Sequence, residues 1–335
     1  MKVLLDHSSP FQLAHGGFQT QIEQTRAGLE AVGVDVEYLR WWDDHQKADI
    51  IHYFGRPASS YLELAHKKGI RLVMGELLTG LGSRSSIARA LQLLLTRTAK
   101  TLLPGDFTAR MGWECYRHAD ACVANTQWER QLMIKMFSAD PEKVHQIPNG
   151  VEDCFFNSRA CERGPWLVCT ATVTERKRVS ELAQAAILAR TPVWIIGKPY
   201  SDTDPYGRDF VQLARRNPQW VRYEGAIGDR SALAKIYRQA RGFVLLSTME
   251  TLSLSALEAA ACECPLLLSD LPWARYSFHR GVQFCPVSST KVTAARLREF
   301  YEIAPSLPAP DRPATWPEIG GKLALVYRGL LSTSR

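Results

Sequence analysis

The sequence of 335 residues has no apolar run that approaches the ~20 residues needed to cross a bilayer. Its first residues, MKVLLD, hold too few apolar positions for the core of a secretory signal. The eight cysteines are scattered along the chain, and none stands in a CxxC pair of the kind that binds zinc. These absences predict a cytoplasmic protein whose cysteines are reduced core residues.

The balance of charge is mildly basic. Lysine and arginine number 41 against 34 aspartates and glutamates, and the net charge of +7 favours anionic partners such as nucleotides, phosphorylated substrates, nucleic acid or an acidic membrane surface. Nucleic acid is the weakest of these, because the chain lacks clusters of interleaved aromatic and basic residues. The hydrophobic fraction of 46% is that of an ordinary folded chain, and at about 150 residues per domain the length predicts two domains.

Short apolar runs alternate with helix-length amphipathic stretches in both halves of the chain, which predicts α/β domains with parallel sheets. In the first half the expected helix is 18–32, and the expected strands are 3–5, 34–39, 50–53, 71–74, 121–124 and 144–147. In the second half the expected helices are 180–189, 231–240 and 253–261, and the expected strands are 166–170, 193–197, 221–223, 242–246, 265–269 and 282–284.

We expect two sequential Rossmann-like domains that face each other across a cleft. Residues 1–156 would form the N-terminal domain and residues 157–315 the C-terminal domain, with the polar segment 157–165 as a linker. Five prolines between positions 305 and 317 predict a stiff, non-helical stretch. The apolar periodicity of 319–331 then predicts a terminal helix.

The most informative segment runs from a buried strand into a helix in the second half. The strand would deliver Ser247 and Glu250 to its carboxyl end, and a helix that begins near Ser253 would aim free N–H groups into the same crevice. Glu258 follows eight residues after Glu250, at most about 12 Å along a helix. The residues alone leave two explanations open: two acids that contact one ligand, or Glu250 as a helix cap with Glu258 on the solvated side.

This segment resembles the Glu-x7-Glu motif of the retaining glycosyltransferases of family 4, which have the GT-B fold, and residues 257–265 resemble the tail of that motif. Further stretches resemble the family's other motifs in the same order: the Gly16-Gly17 turn, ADACVANT at 119–126, IPNGVE at 147–152, TVTERK at 172–177 and the segment 223–237. The similarity covers nearly the whole chain. It includes the last segment, 316–335, which in such folds crosses back to the first domain.

The resemblance implies that the C-terminal domain binds a sugar linked to a nucleotide diphosphate, UDP or GDP, and that the N-terminal domain binds the acceptor. Glu258 would accept hydrogen bonds from the ribose hydroxyls, and residues 251–254 would present helix-start N–H groups to the diphosphate. The donor-binding residues expected in this way are Gly16, Gly17, Arg176, Lys177, Ser247, Thr251, Leu252, Ser253, Leu254 and Glu258.

The resemblance also implies catalytic roles for Glu250, beside the donor sugar, and for Lys177, which would neutralise the departing diphosphate. Fixed positive charge on the leaving group stabilises an oxocarbenium-like transition state more than the ground state. With that charge supplied by Lys177 and helix dipoles, no metal or other cofactor is expected, and Asp202 and Asp204 are weak metal candidates. We expect front-face attack, because the motif supplies no clearly placed nucleophile on the opposite face.

Two positions depart from the family's pattern. Thr172 stands where the family often has an arginine, and the neighbouring Arg176 is a candidate substitute. Glu76 stands where the family often has a histidine after a strand. It is a third catalytic candidate, as a polar group on the donor or acceptor side, although a helix cap is the equal alternative. His15 and His118 are other candidates for the histidine role, with His118 favoured as structural.

Residues 84–103 predict a basic amphipathic helix. One face would carry Ile87, Leu91, Leu94, Leu95, Thr98 and Leu102, and the opposite face Arg89, Arg97 and Lys100. The pattern leaves two alternatives open. The apolar face packs against the sheet of the first domain, or the helix attaches the protein to anionic lipid on the inner face of a membrane, which would suit a lipid-linked acceptor.

The sequence is therefore interpreted as a retaining, metal-independent hexosyltransferase that acts in the assembly of a cell-surface polysaccharide or glycolipid. Its expected partners are a nucleotide-sugar donor, a saccharide or lipid-linked acceptor and an anionic membrane surface, without nucleic acid. The alternatives are a nucleotide-sugar epimerase or sugar phosphorylase of the same fold, or a non-catalytic protein that keeps the nucleotide cleft.

Overall fold

The computed structural model describes residues 1–8, 11, 16–82, 86–102, 113–156 and 162–332. The chain divides into two compact units, one formed by Met1–Gly150 with Ala314–Arg335 and the other by Val151–Pro313. Each unit holds a six-stranded parallel sheet with flanking helices, so the predicted α/β class is confirmed. His15, Arg84, Leu103 and residues 157–161 of the expected linker lie outside the described residues.

The N-terminal unit alternates strands and helices. Its strands are β1 (Lys2–His7), β2 (Asp35–Tyr38), β3 (Ile50–Phe54), β4 (Arg71–Gly75), β5 (Ala121–Ala124) and β6 (Val144–Gln146). Its helices within the described residues are α1 (Gly17–Ala31), α2 (Ser59–Lys67), α3 (Thr79–Gly82), α4 (Ser86–Leu102), α5 (Cys115–His118), α6 (Gln127–Phe137) and α13 (Trp316–Ser332).

The N-terminal sheet has the strand order β2-β1-β3-β4-β5-β6, and each neighbouring pair is parallel. All its strands therefore end at one edge, where open α/β sheets bind ligands. All five residues of β3 are buried, because helices cover both faces of the sheet. Ile51 and Tyr53 pack into the core around Tyr116, whereas His52 contacts α13.

The last helix, α13, packs on α1 and completes the N-terminal unit. The two helices cross at glycines: a Cβ added at Gly320 would lie 2.1 Å from the carbonyl oxygen of Gly28, and one added at Gly28 would lie 2.4 Å from that of Trp316. The Tyr327 hydroxyl and Nδ1 of His52 share a buried hydrogen bond of 2.6 Å. The apolar face of α13 is buried from Trp316 to Tyr327.

The C-terminal unit is built in the same way. Its strands are β7 (Leu167–Thr170), β8 (Val193–Ile196), β9 (Val221–Tyr223), β10 (Gly242–Leu245), β11 (Leu266–Ser269) and β12 (Val282–Cys285). Its helices within the described residues are α7 (Val179–Ala189), α8 (Pro205–Arg216), α9 (Arg230–Gln239), α10 (Leu254–Ala261), α11 (Pro272–Arg275) and α12 (Thr290–Ile303).

The C-terminal sheet has the strand order β12-β11-β10-β7-β8-β9. From β7 the chain moves outward through β8 and β9, and it then returns to place β10 on the other side of β7. The direction of winding therefore reverses between β7 and β10. The carboxyl ends of the two strands at such a reversal are the usual ligand site of a doubly wound sheet.

Prolines stand in the first turn of two helices. Residues 202–204 precede α8, and its N-cap Asp204 accepts a hydrogen bond from the N–H of Tyr206 at 3.2 Å. The terminal helix begins at Trp316 rather than near 319, with Pro317 in its first turn. Proline is tolerated there because the first N–H groups of a helix have no intrahelical partner.

The described cysteines are core residues, as predicted, and Cys161 lies outside the described residues. Six of the seven described cysteines are buried, the seventh, Cys154, is half-buried, and all seven are free thiols. Burial raises the pKa of Cys169 and of Cys264 to about 12. Both thiols therefore stay protonated near neutral pH and are poor nucleophiles.

Candidate active site

The middle of the C-terminal sheet holds a buried ion pair. Nζ of Lys177 donates to Oε1 of Glu250, and the two side chains are only 13% and 11% exposed. Lys177 follows β7 and Glu250 follows β10, the two strands between which the winding of the sheet reverses. Both predicted catalytic residues of this unit therefore lie at its switch point.

The loop after β7 is tied to the loop after β10 through Arg176. Its carbonyl oxygen accepts a hydrogen bond from the N–H of Thr248 at 2.9 Å, and its guanidinium donates to the carbonyl oxygen of Met249 at 2.7 Å. The same guanidinium lies 3.5 Å from the Glu250 carboxylate. Two cations thus converge on one carboxylate, and the predicted basic loop is fixed beside it.

Helix α10 begins directly after this ion pair. Ser253 is its N-cap, and the Ser253 hydroxyl accepts a hydrogen bond from the N–H of Ala256 at 3.3 Å. The earlier N–H groups of α10 have no partner inside the helix, and the helix dipole adds positive potential around them. Since Ser253 caps the helix, the alternative explanation of Glu250 as the cap is wrong.

Glu258 lies on α10 with its side chain 8% exposed, so the alternative that places it on a solvated face is also wrong. Arg230 donates to its Oε1 at 2.5 Å, and the Tyr237 hydroxyl donates to its Oε2 at 3.4 Å. Burial raises the pKa of Glu258, although Arg230 opposes that rise. The carboxylate is a buried acceptor that donors from α9 hold in place.

Arg230, which the sequence analysis missed, is the first residue of α9 and contacts two acids. Besides Glu258 it lies 2.6 Å from Oε2 of Glu152, and its guanidinium sits 4.8 Å above the ring of Phe155. Burial opposes the charge of Arg230, but the two carboxylates outweigh this and raise its pKa. The signal in the sequence was Glu258 itself, because a buried acid on an apolar helix requires a partner. Only the fold shows which residue that partner is.

Ser247 is fully buried just beyond the end of β10. Its carbonyl oxygen accepts a hydrogen bond from the Ser269 hydroxyl at 2.6 Å. Within the part of the chain that the structure describes, its own hydroxyl has no protein partner. The structure places the predicted donor-binding residues of this unit after β7, after β10 or on α10: Arg176, Lys177, Ser247, Thr251, Leu252, Ser253, Leu254 and Glu258.

Glu76, the third predicted catalytic residue, follows β4 in the N-terminal unit. Arg56 donates to its carboxylate at 2.9 and 3.1 Å, and the hydroxyl of the buried Tyr116 donates to it as well. In the turn that leads to α3, the N–H of Leu78 donates to Glu129 at 2.9 Å. The helix-cap alternative for Glu76 and its role beside a substrate both stay predictions.

Gly16 and Gly17 begin α1, the helix that follows β1. Gly16 has a φ of 132°, which glycine adopts far more readily than other residues, and no atom lies within 4 Å of the position that its Cβ would take. Both residues are exposed, which leaves this helix start open to an anion. His118 is 62% exposed and precedes β5, so it lies at the other edge of the sheet from the ligand-binding ends.

Two family models match this chain. The model described as Glycosyltransferase Family 4 matches residues 26–153, and the model described as Glycosyl transferases group 1 matches residues 164–302. The chain belongs to glycosyltransferase family 4. The resemblance that the motifs indicated is thereby confirmed, and the matches extend through most of both units of the family-4 chain.

Curated relatives match the family-4 chain over less than half of its length. The D-inositol 3-phosphate glycosyltransferase of Jonesia denitrificans is 29% identical over 174 residues, which are 45% of this chain and 41% of that protein. The alpha-maltose-1-phosphate synthase of Mycobacterium tuberculosis is 27% identical over 174 residues, 46% of this chain and 44% of that protein. The match therefore spans about two fifths of the length of these curated relatives.

Solved structures resemble the whole family-4 chain. Sucrose-phosphate synthase from Thermosynechococcus elongatus superposes with a TM-score of 0.70 over 100% of both chains, at 16% identity. Alr3699/HepE from Anabaena, in complex with UDP and glucose, has a TM-score of 0.63 over 99% of both chains, at 13% identity. At such low identity these similarities show the GT-B fold and no more.

Helix α4 of the family-4 chain turns its apolar face outward. Leu91, Leu94, Leu95 and Leu102 are between 57% and 81% exposed, whereas Thr96, on another face of the helix, is buried. The alternative in which these leucines pack against the sheet is therefore wrong. Among the described residues, no helix is long and apolar enough to cross a membrane.

Glu129, on α6, is a buried acid that the sequence analysis missed. It is 1% exposed and accepts hydrogen bonds from the N–H groups of Leu78 and Asn125, both at 2.9 Å. Burial raises its pKa to about 7, although the backbone donors oppose the rise. The available signal was the spacing of Thr126 and Glu129, which is that of a capping box.

A small polar pocket lies at the carboxyl edge of the N-terminal sheet. Its volume is about 20 Å³, room for roughly one water, and its lining includes His52, Glu76, Asn125 and Asn149. Burial lowers the pKa of His52 to about 3, so its ring is neutral at neutral pH. In the described residues Nε2 of this ring has no protein partner. Glu76 therefore borders a polar space at the ligand-binding edge.

Proposed function

We propose that this protein is a retaining hexosyltransferase that moves a sugar from a nucleotide diphosphate to an acceptor hydroxyl. The observation that carries the proposal is the buried ion pair of Lys177 and Glu250 beside the start of α10, at the switch point of the C-terminal sheet. A cation and free helix N–H groups at one point suit a diphosphate. Family membership supports the same chemistry.

In this proposal the C-terminal unit binds a UDP- or GDP-linked donor and the N-terminal unit binds the acceptor. Glu258 accepts hydrogen bonds from the ribose hydroxyls. Because Arg230 and Tyr237 already hold its carboxylate, little conformational entropy is lost when the ribose binds. The remaining donor contacts are assigned to Gly16, Gly17, Arg176, Ser247, Thr251, Leu252, Ser253 and Leu254.

Transfer requires the bond between sugar and phosphate to break, which leaves negative charge on the departing diphosphate. Lys177 is nearly buried, so its charge acts where the dielectric constant is low and an ionic interaction is stronger than in water. Once the diphosphate attracts Lys177, Glu250 is free to accept a hydrogen bond from a hydroxyl of the donor sugar. The acceptor hydroxyl attacks on the face from which the diphosphate leaves and gives its proton to the leaving phosphate oxygen. Attack on that face retains the anomeric configuration.

Side chains and helix N–H groups supply all the positive charge in this proposal, which includes no metal or other cofactor. The acceptor is a saccharide or a lipid-linked molecule, and Glu76 is assigned to its side of the reaction because it borders the polar pocket. The role proposed for the enzyme is cytoplasmic assembly of a cell-surface polysaccharide or glycolipid.

The decisive experiment is a screen of UDP-, GDP- and ADP-linked sugars for release of the nucleotide diphosphate, with and without acceptors. We expect one donor to be consumed, retention of configuration by NMR, and a kcat lower by about 100- to 1,000-fold in Lys177→Ala. Lys291→Ala, which removes an exposed lysine of the same unit, is the matched control and should leave kcat unchanged.

Other outcomes of this screen would replace the proposal. An epimerised donor without an acceptor indicates an epimerase, and transfer to inorganic phosphate indicates a phosphorylase. A nucleotide sugar that raises the melting temperature but is never consumed indicates a non-catalytic binding protein. If no nucleotide diphosphate binds at all, the donor site itself is wrongly assigned.

We also propose that α4 attaches the protein to an anionic membrane surface. Its four exposed leucines form one stripe, and the helix contains three basic residues and no acidic residue. A bilayer would bury the leucines, and the net charge of +7 would draw the protein towards anionic lipids. The stripe has no such partner in water, which favours this surface over simple solvation.

Vesicle sedimentation tests the membrane proposal. We expect the protein to pellet with vesicles that contain phosphatidylglycerol and to remain in solution with pure phosphatidylcholine. The double variant Leu94→Ser/Leu95→Ser should lose binding, whereas Leu325→Ser, at a leucine on α13 that is even more exposed, should bind like the parent chain. Equal binding of all three proteins would overturn the assignment of α4.

A further inference from the structure

Two adjacent tryptophans stand in solvent at the ligand-binding edge of the N-terminal sheet. β1 ends at His7 and its neighbour β2 ends at Tyr38, and the loop that follows β2 carries Trp41 and Trp42. These two residues are 76% and 83% exposed. Tryptophan is a large apolar residue that proteins usually cover, so an exposed pair at this edge indicates a binding surface.

The loop that presents the two rings is braced from both ends. Arg40 donates to Glu37 at 2.7 Å and to Asp43 at 2.7 Å, which closes the loop across the tryptophans. The side chain of Gln46 accepts from the Arg40 N–H at 2.9 Å and donates to the Tyr38 carbonyl oxygen at 3.0 Å. Such a loop is already ordered before a ligand binds, so the ligand does not have to fix it.

The Trp41 ring is further anchored to the end of β1. Its indole N–H donates to Oδ1 of Asp6 at 3.3 Å, and the hydroxyl of Tyr61 donates to Oδ2 of the same buried carboxylate at 2.7 Å. One ring of the pair is thus held in a fixed place before any ligand binds.

Exposed aromatic faces surrounded by polar groups suit a saccharide. One face of a pyranose ring carries C–H groups of slight positive charge, which pack on the negative face of an indole, while its hydroxyls point outward. Asp44 and His45, which follow the tryptophans, are 91% and 95% exposed and can hydrogen-bond those hydroxyls.

Charge distinguishes this loop from the leucine stripe of α4. Asp43 and Asp44 follow the tryptophans directly, and Asp43 already pairs with Arg40. The exposed Asp44 would be repelled by an anionic bilayer, whereas α4 contains no acid. A neutral, hydroxyl-rich ligand fits the loop better than a lipid surface does.

We propose that Trp41 and Trp42 form a stacking platform for the sugar units of the acceptor, which makes a saccharide the substrate class of the N-terminal unit. The proposal rests on the transferase activity proposed above for its role in catalysis. The platform itself can bind a saccharide without any donor, so the two proposals can fail separately.

Intrinsic fluorescence with neutral oligosaccharides of glucose, galactose and mannose as probes, and no nucleotide present, tests the platform. We expect one probe to change the tryptophan emission, with an affinity about tenfold weaker in Trp42→Ala and largely restored in Trp42→Tyr. Trp41→Phe keeps an aromatic ring but removes the hydrogen bond to Asp6, and should weaken binding less than Trp42→Ala. Leu64→Ala, an exposed apolar residue of the same unit, should bind like the parent chain.

Each result decides the question. Saccharide binding that depends on Trp42 supports the platform even if no donor is ever consumed, in which case the proposed transfer fails alone. Donor turnover with saccharide binding that is unchanged in Trp42→Ala, or absent at millimolar concentration, overturns the platform and leaves the transfer standing. Loss of vesicle binding in Trp42→Ala without any saccharide effect overturns it in favour of a lipid contact.

Discussion

Helices α4 and α13 are each 17 residues long, belong to the same unit and carry apolar residues at the same spacing. In α13 those residues are buried: Trp316, Ile319, Gly320, Leu323, Ala324 and Tyr327. In α4 the corresponding residues are exposed: Leu91, Leu94, Leu95, Thr98 and Leu102. Periodicity therefore shows that a helix has an apolar face, but it does not show what covers that face.

What distinguishes the two helices is the shape and chemistry of the face. α13 has a glycine where it crosses α1 and a tyrosine that reaches the buried His52. The face of α4 consists of long aliphatic side chains and a threonine, without a small residue for close approach. A face of leucines can pack against a lipid surface, whereas a face with a glycine at a close crossing packs against one particular helix.

The largest effect that we predict is at Gly320, where α13 crosses α1. In Gly320→Ala the new Cβ would meet the backbone of Gly28, which cannot move aside, so the free energy of unfolding should fall by about 3 kcal/mol or more. Gly321→Ala is the matched control, because its Cβ meets no atom within 4 Å. It should stabilise the chain by about 0.5–1 kcal/mol. Urea unfolding measures both, and equal signs for the two variants would contradict a close crossing.

The pH dependence of stability tests the role of Glu129, which accepts a hydrogen bond from the N–H of Leu78 in the turn before α3. The pKa of Glu129 is raised from 4.5 to about 7 on folding, so the folded chain binds its proton more tightly than the unfolded chain. This contribution is present below the unfolded pKa and is lost as pH rises through the folded one.

We therefore expect up to about 3 kcal/mol less stability at about pH 8 than at about pH 5 from this residue alone. Glu129→Gln should remove this component, and the difference between its urea-unfolding curves and those of the parent chain isolates it from His52. That histidine titrates with the opposite sign, since burial lowers its pKa. A difference that does not change with pH would show that Glu129 is ionised in the folded chain.

A smaller effect is expected where α13 hydrogen-bonds to the sheet. Tyr327→Phe removes the hydroxyl that His52 contacts at 2.6 Å and leaves a second ring nitrogen of a buried imidazole without a protein partner, at a cost of about 1–3 kcal/mol. Tyr301→Phe, at a partly exposed ring of the C-terminal unit, is the comparison. If thermal unfolding gives the same shift for both, the hydrogen bond contributes no specific stability.

The smallest effect on stability is predicted for α4. Leu94→Ser/Leu95→Ser removes two side chains that are each 59% exposed, so the free energy of unfolding should change by no more than about 0.5 kcal/mol. The same double variant is expected to abolish vesicle binding. A loss of several kcal/mol in urea unfolding would instead mean that protein covers the stripe, and α4 and α13 would then be alike.

The sequence predicts the strands well because most are short apolar runs, and β3, β5, β10 and β11 are buried on both faces. It predicts helices less well where one local signal has two meanings. Pro317 ends the stretch that was predicted as non-helical, yet it stands in the first turn of α13. The outward face of α4 could not be predicted, because covering a face depends on which elements the fold brings beside it.

The candidate site divides in the same way. Lys177, Glu250 and Glu258 could be predicted because they stand in stretches that resemble the family's motifs. Their partners could not: Arg230 is 28 positions from Glu258 in sequence and reaches it only because α9 and α10 pack together. Glu76 likewise pairs with Arg56, from a different loop of the N-terminal sheet. Long-range pairs of this kind leave no local pattern.

The docking of α13 also sets an order of events at the ribosome. The helix that completes the N-terminal unit is translated only after the whole of Val151–Pro313, on the order of ten seconds later at ordinary elongation rates. During that interval no helix packs against Gly28 of α1, and His52 lacks its hydrogen bond to Tyr327. The segment made second is contiguous and can fold first, so vectorial synthesis delivers the two units in the reverse of their sequence order.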